Sequence, residues 1–423
     1  SDAEFTGGPA ALNGKIYIGN SDGLLYRIDQ DTMTIDDGWP IDLSLGVNKG
    51  ITATPVIDPA GPYLYVPTHG GYLFKIDLSI DPASGDPVVW RWPGTAFNQA
   101  QFYASPMLDD GVVYLTPQSY YGHLYAVNAD TGDTKWMYPP LLYEGLGSMA
   151  YSTPRISNFG GTRVAAVVAF DIMYYIDVSD GSLIDSLQPG STGGISAPAV
   201  FGDHFYFLSN SGQFFKVDPV APDGPSIEWT SPLDVSNGPT PPVFKDGVIY
   251  VVAKNQLYAM DADKNPIWGP TGLNHSHGYM DAPVIYSGGG TKPGGGTADA
   301  GMIGAGRNHG GFYALDLSSG NVFWDQQLRN VFIPIILLEY DGEAEAYGMY
   351  RDKFTAFEKN YPPEIVFADV REKPVNDQPM MPGASDIAIA EMYVYDRNGL
   401  DDMDFNTAFI DLSPLLSDSQ FLL

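Results

Sequence analysis

The chain repeats one short motif eight times along its 423 residues, and this repeat constrains the fold more than any other feature. A typical copy, LYAVN at residues 124–128, has an apolar and aromatic pair, two further residues and a closing acid or amide. Successive copies lie 41 to 55 residues apart. A period of this length predicts one supersecondary unit per copy, stacked on its neighbours to bury a continuous core. The closing residues are Asp29, Asp77, Asn128, Asp177, Asp218, Asp261, Asp316 and Glu358.

A proline ahead of each motif gives an independent count of the units. All of these prolines except Pro154 are followed at once by an apolar residue. The two landmarks therefore agree on eight units. The prolines are Pro9, Pro55, Pro106, Pro154, Pro198, Pro242, Pro283 and Pro334.

Each unit has the pattern of four short strands. In the third unit, apolar runs at 112–115 and 123–128 are bounded by the turns Asp110-Gly111 and Thr131-Gly132. Alternating apolar strands separated by such turns are typical of antiparallel hairpins. A four-stranded unit at this period predicts an all-β, eight-bladed β-propeller over residues 1–360.

The eighth unit departs from the pattern. After FTAFEKN at 354–360 come Tyr361, Pro362 and Pro363, with no fourth strand. Closure of the ring then requires a strand from elsewhere, and we expect residues 3–6 to supply it. A seven-bladed ring with one unit outside it is the alternative.

The turn into the last strand carries a resemblance to a known family. NADTGDTKW at 128–136 and DLSSGNVFW at 316–324 resemble the repeat of the pyrroloquinoline-quinone-type, or quinoprotein-like, β-propellers. The resemblance covers about residues 1–360 and implies the propeller fold. Relatives of this kind include quinone-dependent dehydrogenases, outer-membrane assembly lipoproteins and secreted scaffolds, so the motif specifies fold more than function.

The tryptophans and the missing cysteines weigh against a quinone site. The alcohol-oxidising relatives cover the cofactor with a disulfide ring, and this chain has no cysteine. A planar cofactor also requires an aromatic side chain on which to stack. All seven tryptophans, however, fall in the regions of the fourth strands. No catalytic or cofactor-binding residue is therefore assigned. We predict packing between blades for Trp39, Trp90, Trp136, Trp229, Trp268 and Trp324.

One face of a propeller is the expected place for a ligand. The turns between second and third strands and the links between blades share this face, which we call the loop face. Lys49 and Arg329 are the only basic residues near its links. His69 and His309 are predicted to serve as turn residues. The sequence His275-Ser276-His277 could supply metal ligands, although such a pair in a polar loop with no third histidine nearby in sequence is usually incidental.

Residues 361–423 form a separate β segment in the sequence pattern. Strands are predicted at 364–370, 386–395 and 407–412. They resemble part of an immunoglobulin- or cadherin-like bacterial surface module, a small β-sandwich-like segment. Three strands are too few to close a sandwich, so the module is predicted to be incomplete or completed by a neighbour.

An acidic run lies between two of these strands. Carboxylate and amide oxygens are the ligands that Ca²⁺ prefers, so the run is a candidate calcium site. The spacing is not that of an EF-hand, and a plain acidic turn around Asn398 and Gly399 is the alternative. The candidate ligands are Asp396, Asn398, Asp401, Asp402 and Asp404.

The amino-acid composition limits the classes of binding partner and the cellular locations that suit this chain. The formal charge is −30, from 51 acidic and 21 basic residues. Such a chain repels nucleic acid. No run of 18 apolar residues is present, so no membrane span is predicted. The absence of cysteine fits a secreted, extracellular or cell-surface protein, with the periplasm as the alternative.

Three functions fit these observations. The first is a non-catalytic extracellular or cell-surface scaffold that binds a protein partner or assembles with itself. The second is a calcium- and quinone-dependent alcohol or sugar dehydrogenase. The third is a scaffold of the outer-membrane-assembly type. The sequence names no small-molecule ligand.

Overall fold

The computed structural model describes strands, turns and links through most of the chain. Residues 5–358 are described except for 6, 31, 46–48, 94–100, 119–121, 142–144, 147–151, 170, 191–194, 220, 222–223, 234–239, 254–255, 273–283, 292–296, 306–310, 328–335, 341–342 and 351–352. Beyond residue 358, only four short strands are described. All regular elements in the described residues are β-strands.

In the described residues, seven four-stranded antiparallel sheets follow one another. In each sheet, consecutive strands are hydrogen-bonded neighbours. Sheet one contains β1 (Ala10–Leu12), β2 (Lys15–Gly19), β3 (Leu24–Asp29) and β4 (Ile41–Asp42). Sheet two contains β5 (Val56–Ile57), β6 (Tyr63–Pro67), β7 (Leu73–Asp77) and β8 (Val88–Trp92). Sheet three contains β9 (Met107–Asp109), β10 (Val112–Leu115), β11 (Leu124–Asn128) and β12 (Thr134–Tyr138).

The later sheets repeat this order. Sheet four contains β13 (Arg155–Phe159), β14 (Thr162–Ala169), β15 (Ile172–Asp177) and β16 (Leu183–Leu187). Sheet five contains β17 (Ala199–Phe201), β18 (His204–Leu208), β19 (Gln213–Asp218) and β20 (Ser226–Pro232). Sheet six contains β21 (Val243–Lys245), β22 (Val248–Ala253), β23 (Gln256–Met260) and β24 (Pro266–Gly272). Sheet seven contains β25 (Val284–Thr291), β26 (Thr297–Ala305), β27 (Gly311–Asp316) and β28 (Val322–Gln327).

Sheet eight has three strands among the described residues, β29 (Ile336–Tyr340), β30 (Glu343–Tyr350) and β31 (Lys353–Glu358). The repeated motif of the sequence thus lies in the third strand of every sheet. Of the segment expected to complete this sheet, residues 3–6, only Phe5 is described. Its ring lies 5.0 Å from that of Tyr26 on β3 of sheet one.

The segment after residue 360 contains two small sheets in its described part. One pairs β32 (Ala368–Glu372) with β33 (Ala388–Met392), and the other pairs β34 (Phe409–Asp411) with β35 (Gln420–Leu422). The three predicted strands overlap β32, β33 and β34. The immunoglobulin-like module itself stays a prediction.

The first strands of successive sheets lie side by side, as in the blades of a propeller. This holds for β1 and β5, β5 and β9, β9 and β13, β13 and β17, β21 and β25, and β25 and β29. In sheet three the first strand has three residues, none of them fully buried, and the second and third strands carry the buried residues.

The hydrophobic core lies between the sheets. Each cluster of buried apolar side chains joins two consecutive sheets, as where Leu25 of sheet one packs with Leu64 and Val66 of sheet two. The same holds for the pairs up to sheets six and seven. No single sheet can bury both of its faces, so neighbours are required for a core. We call the junction of two consecutive sheets a seam.

A register shift recurs where the fourth strand passes the centre of the repeated motif. In sheet three, Ala126 pairs with Trp136 but Val127 pairs with Thr134, so the fourth strand contains an extra residue. The same step occurs in sheets two, four, five, six and seven. Such a β-bulge re-aims the residue beside it, and in most of these sheets that residue is a tryptophan.

Candidate functional site: the seams and the loop face

The closing acid or amide of the motif acts on the turn between the third and fourth strands. Asn128 Oδ1 accepts the backbone N–H groups of Asp130 and Thr131 at 2.8 and 3.0 Å. Asp177 Oδ1 accepts the N–H of Ser179 at 2.7 Å. Side-chain caps of this kind stabilise tight turns. Asp29, Asp77, Asp261 and Asp316 make equivalent bonds.

The tryptophan of one sheet bonds to this turn in the next sheet. The indole N–H of Trp136 donates to the carbonyl of Val178 at 3.0 Å. In every such case the accepting carbonyl belongs to the residue directly after the closing acid or amide. The other pairs are Trp90 with Ala129 at 3.3 Å, Trp229 with Ala262 at 3.1 Å, and Trp268 with Leu317 at 2.7 Å.

A glycine in the same turn lets the indole approach. At Gly181 an added Cβ would lie 2.6 Å from the Trp136 ring. Gly181 also has a φ of +76°, where side chains other than glycine are strained. Gly132 meets Trp90 in the same way, and Gly320 meets Trp268. The Thr-Gly and Ser-Gly turns of the sequence therefore match the tryptophans across the seam.

Two of the predicted seam tryptophans do not show this bond. Trp39 is 7% exposed and its indole Nε1 has no hydrogen-bond partner among the described residues. The guanidinium of Arg27 lies 5.0 Å from its ring centroid instead. Trp324 pairs with Ala314 at the bulge of sheet seven, and its side chain lies outside the described residues.

The seam between sheets four and five has no tryptophan at this position. Asp185 pairs with Tyr175 where the fourth strands of sheets two, three, five, six and seven place tryptophan. An added Cβ on Gly224 of sheet five would lie 2.5 Å from Asp185 Oδ2. The Tyr175 hydroxyl is buried and has no hydrogen-bond partner among the described residues. Burial, and then the charge of Asp185, raise the pKa of Tyr175.

A buried lysine joins sheets two and three, and the sequence analysis missed it. Lys75 is 4% exposed and its Nζ donates to the carbonyl of Ala129 at 2.9 Å. The same Nζ lies 4.0 Å from the ring centroid of Tyr63, a favourable cation–π position. The signal was present in the motif LFKID, whose central residue is a cation between apolar neighbours.

On the loop face, His69 connects two links between sheets. It lies in the turn between β6 and β7, as predicted. Its Nε2 is 2.6 Å from Thr52 Oγ1, and its ring centroid is 4.4 Å from that of Tyr103. Burial lowers the pKa of His69, so the neutral ring is favoured there. The Tyr103 hydroxyl donates to Gln101 Oε1 at 2.5 Å.

Apolar side chains are exposed on the same face. Leu45, Tyr103 and Leu141 all lie on links between sheets and are 36%, 40% and 58% exposed. Lys49, on the link between sheets one and two, is also exposed. The arrangement offers aromatic and aliphatic contact area with one cation in the described links, which suits contact with another protein surface.

Several predicted site residues lie outside the described residues. They are Asp396, Asn398, Asp401, Asp402 and Asp404 of the acidic run, together with His275, His277, His309 and Arg329. In the part of the chain that is described, no group of three or more His, Cys, Asp or Glu side chains is placed to hold a metal ion. A search of the same part found no helix long and apolar enough to cross a membrane.

Sequence comparison identifies relatives of the repeat. A family model of PQQ-type repeats, described as outer membrane protein assembly factor BamB, matches residues 39–268, which is more than half of the chain. The outer membrane protein assembly factor BamB of Shewanella oneidensis is 25% identical over 230 residues. That alignment covers 50% of this chain and 53% of the relative, so the chain spans about half the length of the curated protein it matches.

Solved structures share the fold. BamB from Moraxella catarrhalis superposes with a TM-score of 0.58 at 14% identity, over 82% of this chain and 94% of that one. Quinohemoprotein alcohol dehydrogenase from Comamonas testosteroni also gives a TM-score of 0.58, at 12% identity, over 82% of this chain and 71% of that one. These likenesses confirm an all-β fold of propeller blades.

Proposed function

We propose a function from the family to which this chain belongs, that of outer membrane protein assembly factor BamB. The chain is a non-catalytic propeller scaffold that binds proteins during outer-membrane assembly. The match to residues 39–268 is the observation that carries the proposal. The named relative aligns over half of its own length, so its role is extended to this chain as a proposal only.

Of the three functions inferred from the sequence, the relatives support the assembly-type scaffold better than the general cell-surface one. A scaffold of this family works outside the cytoplasm, which agrees with the extracytoplasmic location expected from the lack of cysteine. The dehydrogenase likeness is one of fold at 12% identity and supports no activity.

We assign the partner to the loop face. Its exposed Leu45, Tyr103 and Leu141 provide apolar contact area. Trp90, Trp136, Trp229 and Trp268, by contrast, donate hydrogen bonds to the next sheet, and we propose that they space the blades. The ring is proposed to have eight blades over residues 1–360, with seven as the alternative.

The function is tested by deletion of the gene in the source organism. We expect the amounts of folded outer-membrane β-barrel proteins to fall, and to recover when the unmodified chain is expressed. Tyr103→Asp should restore them poorly, whereas Ile267→Asp, at an exposed residue on the outer strand β24, serves as the matched control. Unchanged barrel proteins after deletion would contradict the proposal.

The acidic run is proposed to bind Ca²⁺ through Asp396, Asn398, Asp401, Asp402 and Asp404. Removal of two ligands by Asp401→Asn with Asp402→Asn should abolish the heat measured on calcium titration by calorimetry. If the unmodified chain gives no heat and no rise in melting temperature with Ca²⁺, the run is an acidic turn.

A further inference from the structure

The outer end of one seam is built differently from the outer ends of its neighbours. Sheets two, three, five and six each place a tryptophan at the bulge and bond it to the following sheet. Sheet four places Asp185 there. We propose that the seam between sheets four and five is a built-in point of local opening, where the outer strands separate more readily than at the neighbouring seams. This inference does not depend on the proposed partner.

The first reason is the missing bond across the seam. Asp185 Oδ1 accepts the N–H of Ser186 in its own strand at 2.7 Å. Among the described residues it makes no hydrogen bond to sheet five. A carboxylate beside Gly224 also presents less apolar surface than the indole that covers Gly181 in the preceding seam. Both the hydrogen bond and the apolar contact are therefore reduced.

The second reason is the Tyr175 hydroxyl. It is buried without a partner among the described residues, and an unsatisfied buried polar group is costly. Opening of the seam returns this hydroxyl to water and recovers that cost. At seam two–three the residue at the same motif position, Lys75, is satisfied by the Ala129 carbonyl, so opening there recovers nothing comparable.

The inner part of the same seam is well packed. The Phe159 ring on the first strand, β13, lies 4.8 Å from the Phe205 ring on β18. This aromatic contact joins sheets four and five away from the outer strand β16. The opening is therefore confined to the outer strand β16, where Leu183 and Ile184 are exposed.

Hydrogen exchange of the full chain in its native state tests the proposal, because amide protection reports the free energy of local opening. After correction for intrinsic rates, the β16 amides should exchange at least about fivefold faster than those of β12, the ratio that corresponds to one net hydrogen bond. Both β16 and β12 are the outermost strands of sheets with the same topology, so the effect of an edge position on exchange is the same in each. Equal protection of β16 and β12 overturns the proposal.

Two reciprocal variants sharpen the test. Asp185→Trp should slow exchange in β16 to the level of β12, because Gly224 already faces this position. Trp136→Asp should speed exchange in β12 and in the turn after Val178 by at least about fivefold. If folded Asp185→Trp leaves β16 unchanged, the proposal is overturned. If that variant does not fold, Trp136→Asp decides alone, and unchanged exchange in β12 overturns it.

Discussion

At the scale of single residues, the closing acid or amide and the tryptophan of the preceding sheet act on the same turn. Asn128 accepts N–H groups within the turn, and the carbonyl of the next residue, Ala129, accepts the Trp90 indole. The closing residue stabilises the turn, and the residue after it provides the carbonyl that accepts the indole hydrogen bond. The closing acid or amide and the tryptophan, the two most regular features of the sequence, thus belong to one contact between consecutive sheets.

Loss of the indole hydrogen bond should weaken the fold. Trp136→Phe keeps an aromatic ring but removes the donor to the Val178 carbonyl and leaves that carbonyl without the bond. We expect the free energy of unfolding to fall by about 1 kcal/mol from this bond, in addition to the loss of ring area. Urea unfolding followed by circular dichroism measures the change.

Trp39→Phe is the matched control. It makes the same change in ring size at a buried tryptophan whose Nε1 has no partner among the described residues. The loss at Trp39 should be smaller than the loss at Trp136. Equal losses would show that the hydrogen bond across the seam contributes nothing.

His69 should make stability depend on pH. Burial lowers its pKa in the folded protein, so the unfolded chain binds a proton more readily once the pH falls below about 6.5. Protonation then favours the unfolded chain, and stability decreases from neutral toward lower pH. His69→Asn should make unfolding in urea less sensitive to pH between about pH 7 and pH 5. An unchanged pH dependence would assign the effect to other groups.

The single-residue roles were only partly predictable. The sequence placed the tryptophans in the fourth-strand regions, because a large aromatic residue after a Gly turn is a regular pattern. It did not predict the Lys75 bond to Ala129, since a cation in a strand is ordinarily solvated. Nor did it single out Asp185, because the pairing of Asp185 with Tyr175 depends on the register of two strands.

At the scale of elements, the bulge in the fourth strands of sheets two to seven decides which side chain reaches the next sheet. The extra residue sits between the positions opposite the third and fourth motif residues, as at Lys75 and Ile76. Hairpin turns can be recognised in the sequence by their Gly and Asp residues, so the strands were predictable. A one-residue insertion in an outer strand has no characteristic residue type, so the bulges were not predictable.

The turn glycines should tolerate alanine unequally. Gly181→Ala combines a strained φ of +76° with a Cβ only 2.6 Å from the Trp136 ring. We expect a loss of about 2–4 kcal/mol in the free energy of unfolding, from backbone strain and overpacking together. Chemical denaturation of the purified variant measures it.

Gly202→Ala controls for the backbone term. Gly202 has a φ of +58° but nothing within 4 Å of an added Cβ. Its loss should stay near about 1 kcal/mol, the cost of the left-handed conformation alone. If both alanine variants lose the same free energy, the approach of the indole to Gly181 is not tight.

At the scale of the whole molecule, the surface charge opposes compactness. With 51 acidic and 21 basic residues, the net charge is −30. Self-repulsion of this size is reduced by salt, whose screening length falls from about 30 Å at 0.01 M to about 10 Å at 0.1 M. The melting temperature should therefore rise with NaCl in calorimetry. The same rise with KCl at equal ionic strength would identify screening, whereas no rise would contradict the expectation.

The whole architecture was predictable to the level of repeated four-stranded sheets. The motif period and the prolines gave the sheet order, because each unit carries its own strand and turn signals. Closure of the ring stays a prediction, because no local pattern encodes the partner of a terminal strand. Phe5, the one described residue of the segment 3–6, lies beside Tyr26 of sheet one. The proposed function rests on relatives and not on the motif, since the motif's regular residues are used in packing.

The positions of the tryptophans also determine which parts of this protein tryptophan fluorescence can monitor. Trp39, Trp90, Trp136, Trp229 and Trp268 stand at seams, so their fluorescence should shift to longer wavelength as water enters those junctions. The junction of sheets four and five is lined by phenylalanine and tyrosine and is silent in that signal. An unfolding curve recorded from tryptophan emission would therefore report unfolding at the seams on both sides of this junction. It would not report the separation of sheets four and five.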